Sequence, residues 1–421
     1  MEKTLAIIGG GASGLMCAVT AARRAAHEGK NIRITVYERN PRVGKKLLAT
    51  GNGKCNLTNA DENINAYHSN DMQTLKSVLD KFGAQQIISF FEELGVVCVS
   101  ANRTGIYPRS MQAASVLDAL RFEAQKLGVE FICGADVGSI ERKNGKYVLI
   151  YGKSSFCADM AVIASGSEAS GGSGSGLTLL KGLGHKIYAP YPALSAIKCD
   201  SSIIKTAKGM RANANISLAA DGKNIASEFG EVLFCDYGIS GIAAMQLSGA
   251  VSKLFSDGRK HSITLSLDLA HEYSENELYA YLTERRNRLA HLELENFLVG
   301  FINKRVAMAA VKSAGIGGFN TPSGELSNNS IMCLAQTLKS FKLTVTGTKG
   351  APDAQVMGGG ASLAEFDDKT LESKKHSGLY ACGEVLDCYG DCGGYNLTWA
   401  WASGFVCGNG AAKKIINQYK K

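Results

Sequence analysis

The chain has 421 residues, 45% of them apolar and 20% charged, which excludes a disordered chain and leaves room for two or three domains with their own cores. Its formal net charge of +8 comes from lysines and arginines spread along the sequence without a block of five like charges, so a solvated basic surface is expected and no nucleic-acid partner. No uninterrupted apolar run approaches membrane-spanning length, and twelve cysteines without CxxC or paired zinc spacing read as reduced, buried thiols, so no membrane partner, no metal and a cytoplasmic setting are expected.

A short apolar run, Leu5-Ala6-Ile7-Ile8, passes directly into Gly9-Gly10-Gly11-Ala12-Ser13-Gly14, with glycine at the first, third and sixth places of GxGxxG. In that spacing Gly9 permits a tight strand-to-helix turn, Gly11 lets the backbone approach a pyrophosphate, and Gly14 lets the helix pack close on the strand. The amides of Ala12 and Ser13 open that helix, where the dipole favours phosphate. An alanine-rich helix over residues 15–27 and a β-branched strand over 32–37 follow. Glu38 ends the strand with a carboxylate that accepts hydrogen bonds from ribose hydroxyls and would repel a ribose phosphate.

Residues 39–59 form a long polar loop with three glycines and several cations, too polar to bury a core. Lining a dinucleotide gives it a purpose and puts Arg39, Lys45, Lys46, Gly51, Asn52, Gly53 and Asn56 at the cofactor. Helical patterning follows over 74–95, a strand over 96–99, an amphipathic helix over 115–127 and a strand over 129–133. A hairpin over 138–150 turns at Lys143-Asn144-Gly145, and Val137 just before it is counted with the cofactor residues. The buried strand over 161–164 ends in Ser165 and Gly166, which open a glycine-serine tract over 165–176. No βα unit with a terminal acid follows that tract, so it reads as chain passing over the bound cofactor and not as a second nucleotide domain.

From 193 to 269 the pattern changes to short alternating segments, as in an antiparallel sheet or barrel, interrupted by a helix over 242–255. Residues 274–314 read as almost continuously helical, and 339–346 as a strand. Three segments result: 1–192 and 346–421 as two parts of one α/β cofactor domain, and 193–345 as an inserted β-barrel with a helical segment at about 270–330. The last part brings a strand over 378–382 into Gly383-Glu384, then Gly393-Gly394-Tyr395-Asn396-Leu397 into a helix over 398–419. In a flavin dinucleotide site, Gly383 and Glu384 would meet the ribityl or phosphate side. Gly394, Asn396 and Leu397 would present a helix N-terminus to the pyrimidine edge, where it favours negative charge.

The Gly9–Gly14 run, Thr50-Gly51-Asn52-Gly53-Lys54-Cys55-Asn56-Leu57-Thr58-Asn59, Gly238-Ile239-Ser240-Gly241, and Gly383-Glu384-Val385-Leu386-Asp387 with Gly393-Gly394-Tyr395-Asn396 together resemble the BaiN-type family of FAD-dependent oxidoreductases over nearly the whole chain. The resemblance implies a glutathione-reductase-type FAD-binding domain split by an inserted β-barrel and helical domain. It also implies either NADH- or NADPH-linked reduction of a conjugated C=C in a small apolar, steroid or bile-acid-like substrate, or oxidation of a small amine such as aminoacetone. A flavin-binding sensor without turnover is a third reading. Two places depart from the family pattern: Phe234-Cys235-Asp236-Tyr237 stands where Phe-Thr-His is frequent, and Ile242 stands where proline is frequent. Tyr237, Asp236 and Cys235 are the candidate proton donors, by position. Cys388 and Cys392 are a candidate redox pair, but their three-residue gap is not CxxC, so a structural role is expected.

Overall fold

The computed structural model describes residues 2–101, 104–200 and 203–419. The chain divides into two compact units, Met1–Pro190 with Val356–Lys421, and Tyr191–Gln355. Among the described residues no helix is long and apolar enough to cross a membrane.

The first unit is built on a five-stranded parallel sheet in the order Leu379–Ala381, Met160–Ile163, Lys3–Ile8, Ile32–Glu38, Glu130–Cys133. Leu5, Ile7, Val36, Val162 and Ile163 are fully buried, the near-continuous burial that a parallel sheet covered on both faces requires. The helix Ala12–His27 returns from the first strand and packs against the C-terminal helix Tyr395–Gln418. Glycine sets that approach: a Cβ at Gly404 would stand 2.5 Å from the Ser13 carbonyl oxygen, and one at Gly408 2.4 Å from that of Cys17. The hairpin Val137–Lys143 and Lys146–Tyr151 turns at Asn144 and Gly145, whose φ of 49° and 78° suit a two-residue turn of the primed type.

The continuous helix expected over 74–95 is two helices, Met72–Leu79 and Ala84–Glu93. The Asp71 side chain caps the first by accepting the Thr74 N–H, and Gly83 caps the second in an extended conformation. Breaking the helix lets both apolar faces, Leu75 with Val78 and Ile87 with Phe91, reach one core.

The second unit is a closed six-stranded barrel, Ile197–Cys199, Gly238–Ser240, Lys223–Cys235, Arg211–Ala220, Ile263–Asp268 and Phe341–Thr348, the last pairing back onto the first. Ile263, Leu265 and Leu267 are buried while Thr264 and Ser266 are half-buried, a period-2 strand pattern. Ile242–Ser256 is a helix, as its composition predicts. The nearly continuous helix expected over 274–314 is instead three, Glu275–Arg288, Leu294–Phe297 and Lys304–Ala314. Buried Arg285 accounts for the second break: its guanidinium donates to the carbonyls of Phe297, the last residue of the short helix, at 2.6 Å and of Val299 just beyond it at 2.7 Å.

On the barrel surface His261 lies between two carboxylates, with Nδ1 2.7 Å from Asp221 and Nε2 2.8 Å from Asp257. The hydrogen bond to Asp221, then that to Asp257, raises its pKa. A group raised in the folded state stabilises fully below its unfolded pKa of about 6.5 and loses that contribution as pH rises through the folded value. Thermal denaturation should therefore show a drop in melting temperature above about pH 6.5 that is smaller in His261→Gln than in the parent; equal drops would exclude the linkage.

Candidate cofactor and active site

The strands Lys3–Ile8, Ile32–Glu38, Met160–Ile163 and Leu379–Ala381 run parallel, with Ile8 beside both Tyr37 and Ile163 and Ile163 beside Ala381. Their C-terminal ends therefore deliver Gly9 to Gly11, Glu38, Ala164 to Gly166 and Cys382 to Glu384 to one edge. The chain leaves the first strand to build outward on one side through Ile32–Glu38 and later fills the other side with Met160–Ile163, so this edge is a topological switch point, where open α/β sheets bind ligands.

The three motif glycines differ in what surrounds them. A Cβ on Gly9 would stand 2.4 Å from the Ala164 carbonyl oxygen, and one on Gly14 1.9 Å from that of Gly9, so both are closed by packing. A Cβ on Gly11 would meet nothing within 4 Å. Gly11 is the N-cap of Ala12–His27, so the amides of Ala12, Ser13 and Gly14, which have no carbonyl partner within the helix, open beside that space.

Glu38 is buried, and its carboxylate is already oriented: Oε2 accepts the Gly10 N–H at 2.9 Å, and Oε1 accepts the Asn40 N–H at 2.8 Å and its side-chain amide at 2.6 Å. A carboxylate has about four lone-pair sites, so capacity remains for a ribose. Val137 lies close by in sequence to Ala135, whose N–H donates to the Glu38 carbonyl, and its side chain is buried. Arg39 donates to the Gly171 carbonyl at 2.7 Å, tying the loop after Glu38 to the glycine-serine tract. Lys45 and Lys46 start a short helix behind Gly44; Lys46 pairs with Glu384 at 2.7 Å, and the other Glu384 oxygen accepts the Met357 N–H. Glu384 is thus a bridge between the loop and the C-terminal part of the unit.

Gly51, Asn52, Gly53 and Cys55 all have positive φ, between 54° and 82°. Gly51, Asn52 and Gly53 are exposed, while the amides of Lys54 and Cys55 are held by the carbonyls of Gly51 and Thr50. Asn56 closes this loop against the C-terminal helix: a Cβ on Gly394 would lie 3.1 Å from Asn56 Oδ1. That buried oxygen has no partner, and neither does buried Ser165 Oγ. Unpaired buried acceptors and hydroxyls are costly and mark where a ligand is expected to bind. An open space over Gly11, the helix-start amides beside it and two orphaned polar atoms fit a large anionic cofactor carrying amide and hydroxyl groups.

The C-terminal helix starts at Tyr395, one turn earlier than its sequence suggests, with Gly394 as its N-cap at φ 106°. Asn396 and Leu397 therefore lie in the first turn with amides free of helical partners. The Asn396 side chain is spent within the chain: it accepts the Gly390 N–H and donates to the Gly390 carbonyl, so its backbone is what remains for a ligand. Sequence reasoning missed the struts behind this end, the Thr58–Thr398 hydroxyl pair, Asn59 to the Gly393 carbonyl, and Trp401 to the Leu57 carbonyl. They link segments more than 300 positions apart, and only the polar density of residues 50–59 hinted at them.

In the barrel unit, Cys235 ends the strand Lys223–Cys235 and Asp236 and Tyr237 make the turn to Gly238–Ser240. Asp236 pairs with Lys208, first by a hydrogen bond and then by charge, which holds its carboxyl below the usual range. Asp236 is therefore ionised at neutral pH and unsuited to giving a proton. Burial, then a hydrogen bond with Cys235, raises the Tyr237 phenol, and the Lys349 ammonium lies 4.5 Å from its ring centre. Gly238 and Gly241 are required by packing, since a Cβ would stand 2.1 Å from the Ile197 and 2.4 Å from the Glu231 carbonyl oxygens. Ile242 takes the first position of the helix that Gly241 caps, the place where proline is readily accommodated, and its side chain is exposed. The departure from proline there leaves the turn intact.

Residues 3–410 match the family described as HI0933-like protein Rossmann domain. The chain belongs to the HI0933-like family. It is 34% identical over 414 residues to a 3-dehydro-bile acid delta(4,6)-reductase of Clostridium scindens, covering 97% of this chain and 99% of that one. It is 27% identical to a ribosomal RNA dihydrouridine synthase of Haemophilus influenzae, covering 95% and 96%, and 26% identical to one of Escherichia coli, covering 95% and 96%. This HI0933-like protein is an FAD-dependent oxidoreductase with a Rossmann-type cofactor fold, as the resemblance in its motifs implied.

All twelve cysteines of this HI0933-like chain are free thiols. Cys388 is buried, and burial raises its thiol well above the ordinary value, so it is no nucleophile. The double variant Cys388→Ser/Cys392→Ser should retain flavin and its reduction by the hydride donor. Loss of turnover with full flavin content would instead establish a redox pair.

Proposed function

We infer that the protein takes a hydride from NADH or NADPH and saturates a ring C=C conjugated to a carbonyl. The observation that carries this reading is that relatives matching nearly the full chain are named for two different substrates but one kind of reaction. A 3-dehydro-Δ4,6 bile acid is a dienone, and dihydrouridine is uridine with its C5=C6 bond, conjugated to C4=O, saturated. Bound FAD supplies the ring that accepts and donates the hydride. The chain's part is to hold the dinucleotide on the amides after Gly11 and to favour negative charge at the first turn of Tyr395–Gln418. Of the three proton-donor candidates, Tyr237 alone combines a hydroxyl with a raised pKa, so it stays protonated to serve the carbon beside the one that receives hydride.

A bile-acid or steroid-like enone is the first substrate class, supported by the higher identity of that relative. Uridine in ribosomal RNA is the second, supported by the two relatives named for that modification at 27% and 26% identity. The sequence carries one GxGxxG βαβ unit, so donor and acceptor use the flavin in turn and ping-pong kinetics are expected. The proposed setting is the cytoplasm, supported by twelve free thiols. The test is anaerobic mixing with NADH, NADPH or aminoacetone while the flavin absorbance is followed. Bleaching by a nicotinamide supports the reductase. Bleaching by aminoacetone alone replaces it with an amine oxidase, and no bleaching by any donor leaves a flavin-binding sensor.

A further inference from the structure

Three cysteines from distant parts of the sequence converge in the core of the first unit. Cys17 lies in the helix Ala12–His27, Cys382 follows the strand Leu379–Ala381, and Cys407 lies in the helix Tyr395–Gln418. Their sulfur atoms all lie within 4.8 Å of one another, and all three residues are fully buried. Backbone packing holds them there. Gly408 seats its helix against the Cys17 carbonyl, the Cys382 N–H donates to the Ile163 carbonyl at 3.0 Å, and the Gly383 N–H donates to Ser403 Oγ at 2.9 Å. The sulfurs are thus gathered before any ligand arrives, and Cys382 borders the cofactor edge through its neighbours Gly383 and Ser13.

We propose that Cys17, Cys382 and Cys407 form a trithiol site for trivalent arsenic, taken up as arsenite. The choice of ligand follows from charge. Among the described residues, the groups that act on these buried thiols are one another and Ser13, with no cation among them. A net negative complex would be buried without a counter-charge, at high cost. Three thiolates on Zn²⁺ make a singly negative complex that still needs a fourth ligand, and three on Cu⁺ make a doubly negative one. Arsenite, As(OH)₃, is neutral. In condensing with three thiols it exchanges three As–O bonds for three As–S bonds, each thiol proton leaves with a hydroxyl as water, and arsenic stays trivalent with no electron transferred. The product is a neutral three-sulfur complex suited to an apolar core. It would clamp together the two helices whose N-termini build the cofactor cradle.

The test incubates the holoenzyme with arsenite in the absence of added dithiols, removes free arsenite by gel filtration, and measures arsenic per chain by elemental mass spectrometry and its neighbours by X-ray absorption. Expected is stoichiometric arsenic with an all-sulfur, three-coordinate shell. Cys407→Ala and, separately, Cys17→Ser should lower retention by about tenfold or more, at least the loss seen when even an outer-shell partner of a metal site is removed. Cys388→Ser/Cys392→Ser should leave retention unchanged, and flavin content reports that each variant is folded. Substoichiometric arsenic in the parent, a two-sulfur shell, or retention in Cys407→Ala or Cys17→Ser equal to that of the parent would overturn the proposal. Zinc retained by the parent and lost in Cys407→Ala would overturn the neutral-complex argument.

Discussion

Gly11→Val is expected to give a folded protein without flavin. The N-cap φ of −81° and ψ of −169° at Gly11 are open to any L-residue, and a Cβ there meets no protein atom within 4 Å, so the fold has no reason to resist. The valine side chain would instead fill the space beside the amides of Ala12, Ser13 and Gly14, where the pyrophosphate approaches. Losing two charge-assisted hydrogen bonds at about 1.5–3 kcal/mol each lowers FAD affinity by roughly two to four powers of ten. Gly14→Val is the control: its Cβ would stand 1.9 Å from the Gly9 carbonyl oxygen, so that variant should fail to fold rather than fail to bind. Visible absorbance per chain, read beside the melting temperature of the apoprotein, separates the two. Full flavin content in Gly11→Val would rule out the phosphate approach at this glycine.

Glu38→Ala should weaken FAD by about a hundredfold while leaving FMN affinity nearly unchanged, because FMN has no adenosine ribose to lose two charge-assisted hydrogen bonds. The carboxylate also holds the Gly10 and Asn40 amides, so a drop in stability of about 1–3 kcal/mol is expected from stranded buried donors. Titration of the apoprotein with each cofactor makes the comparison. Equal losses for FAD and FMN would mean that Glu38 acts only by shaping the glycine turn.

Local pattern made much of the cofactor fold legible. GxGxxG between a strand and a helix, an acid ending the second strand, and alternation in the barrel each arise from a few neighbouring residues, and the structure realises them at Gly9–Gly14, Glu38 and Ile263–Asp268. Helix breaks were not legible, because their causes are distant or side-chain specific: the carbonyls of Phe297 and Val299 interrupt a helical pattern to meet Arg285 from another turn. The C-terminal helix begins at Tyr395 because Gly394 adopts a left-handed φ against Thr58, a contact between residues more than 300 positions apart. Free-looking polar side chains misled for the same reason. Asn396 and Glu384 belong to the cradle by position, yet their side-chain atoms are engaged by Gly390 and by Lys46 with Met357. The trithiol cluster was invisible, since cysteines at 17, 382 and 407 share no spacing.

The most direct test of the reductase reading is the mass of the product. Purified holoenzyme, NADH or NADPH, and either a 3-oxo-Δ4,6 bile acid or ribosomal RNA lacking dihydrouridine are incubated without oxygen, and the bile acid or the RNA nucleosides are analysed by mass spectrometry. The account predicts that one of the two rings gains the mass of two hydrogens, with at least one deuterium, on the carbon beside the one that receives hydride, when the reaction runs in D₂O. A nicotinamide that bleaches the flavin while neither ring gains hydrogen would contradict both proposed substrate classes, and aminoacetone consumed with oxygen would contradict the direction of electron flow.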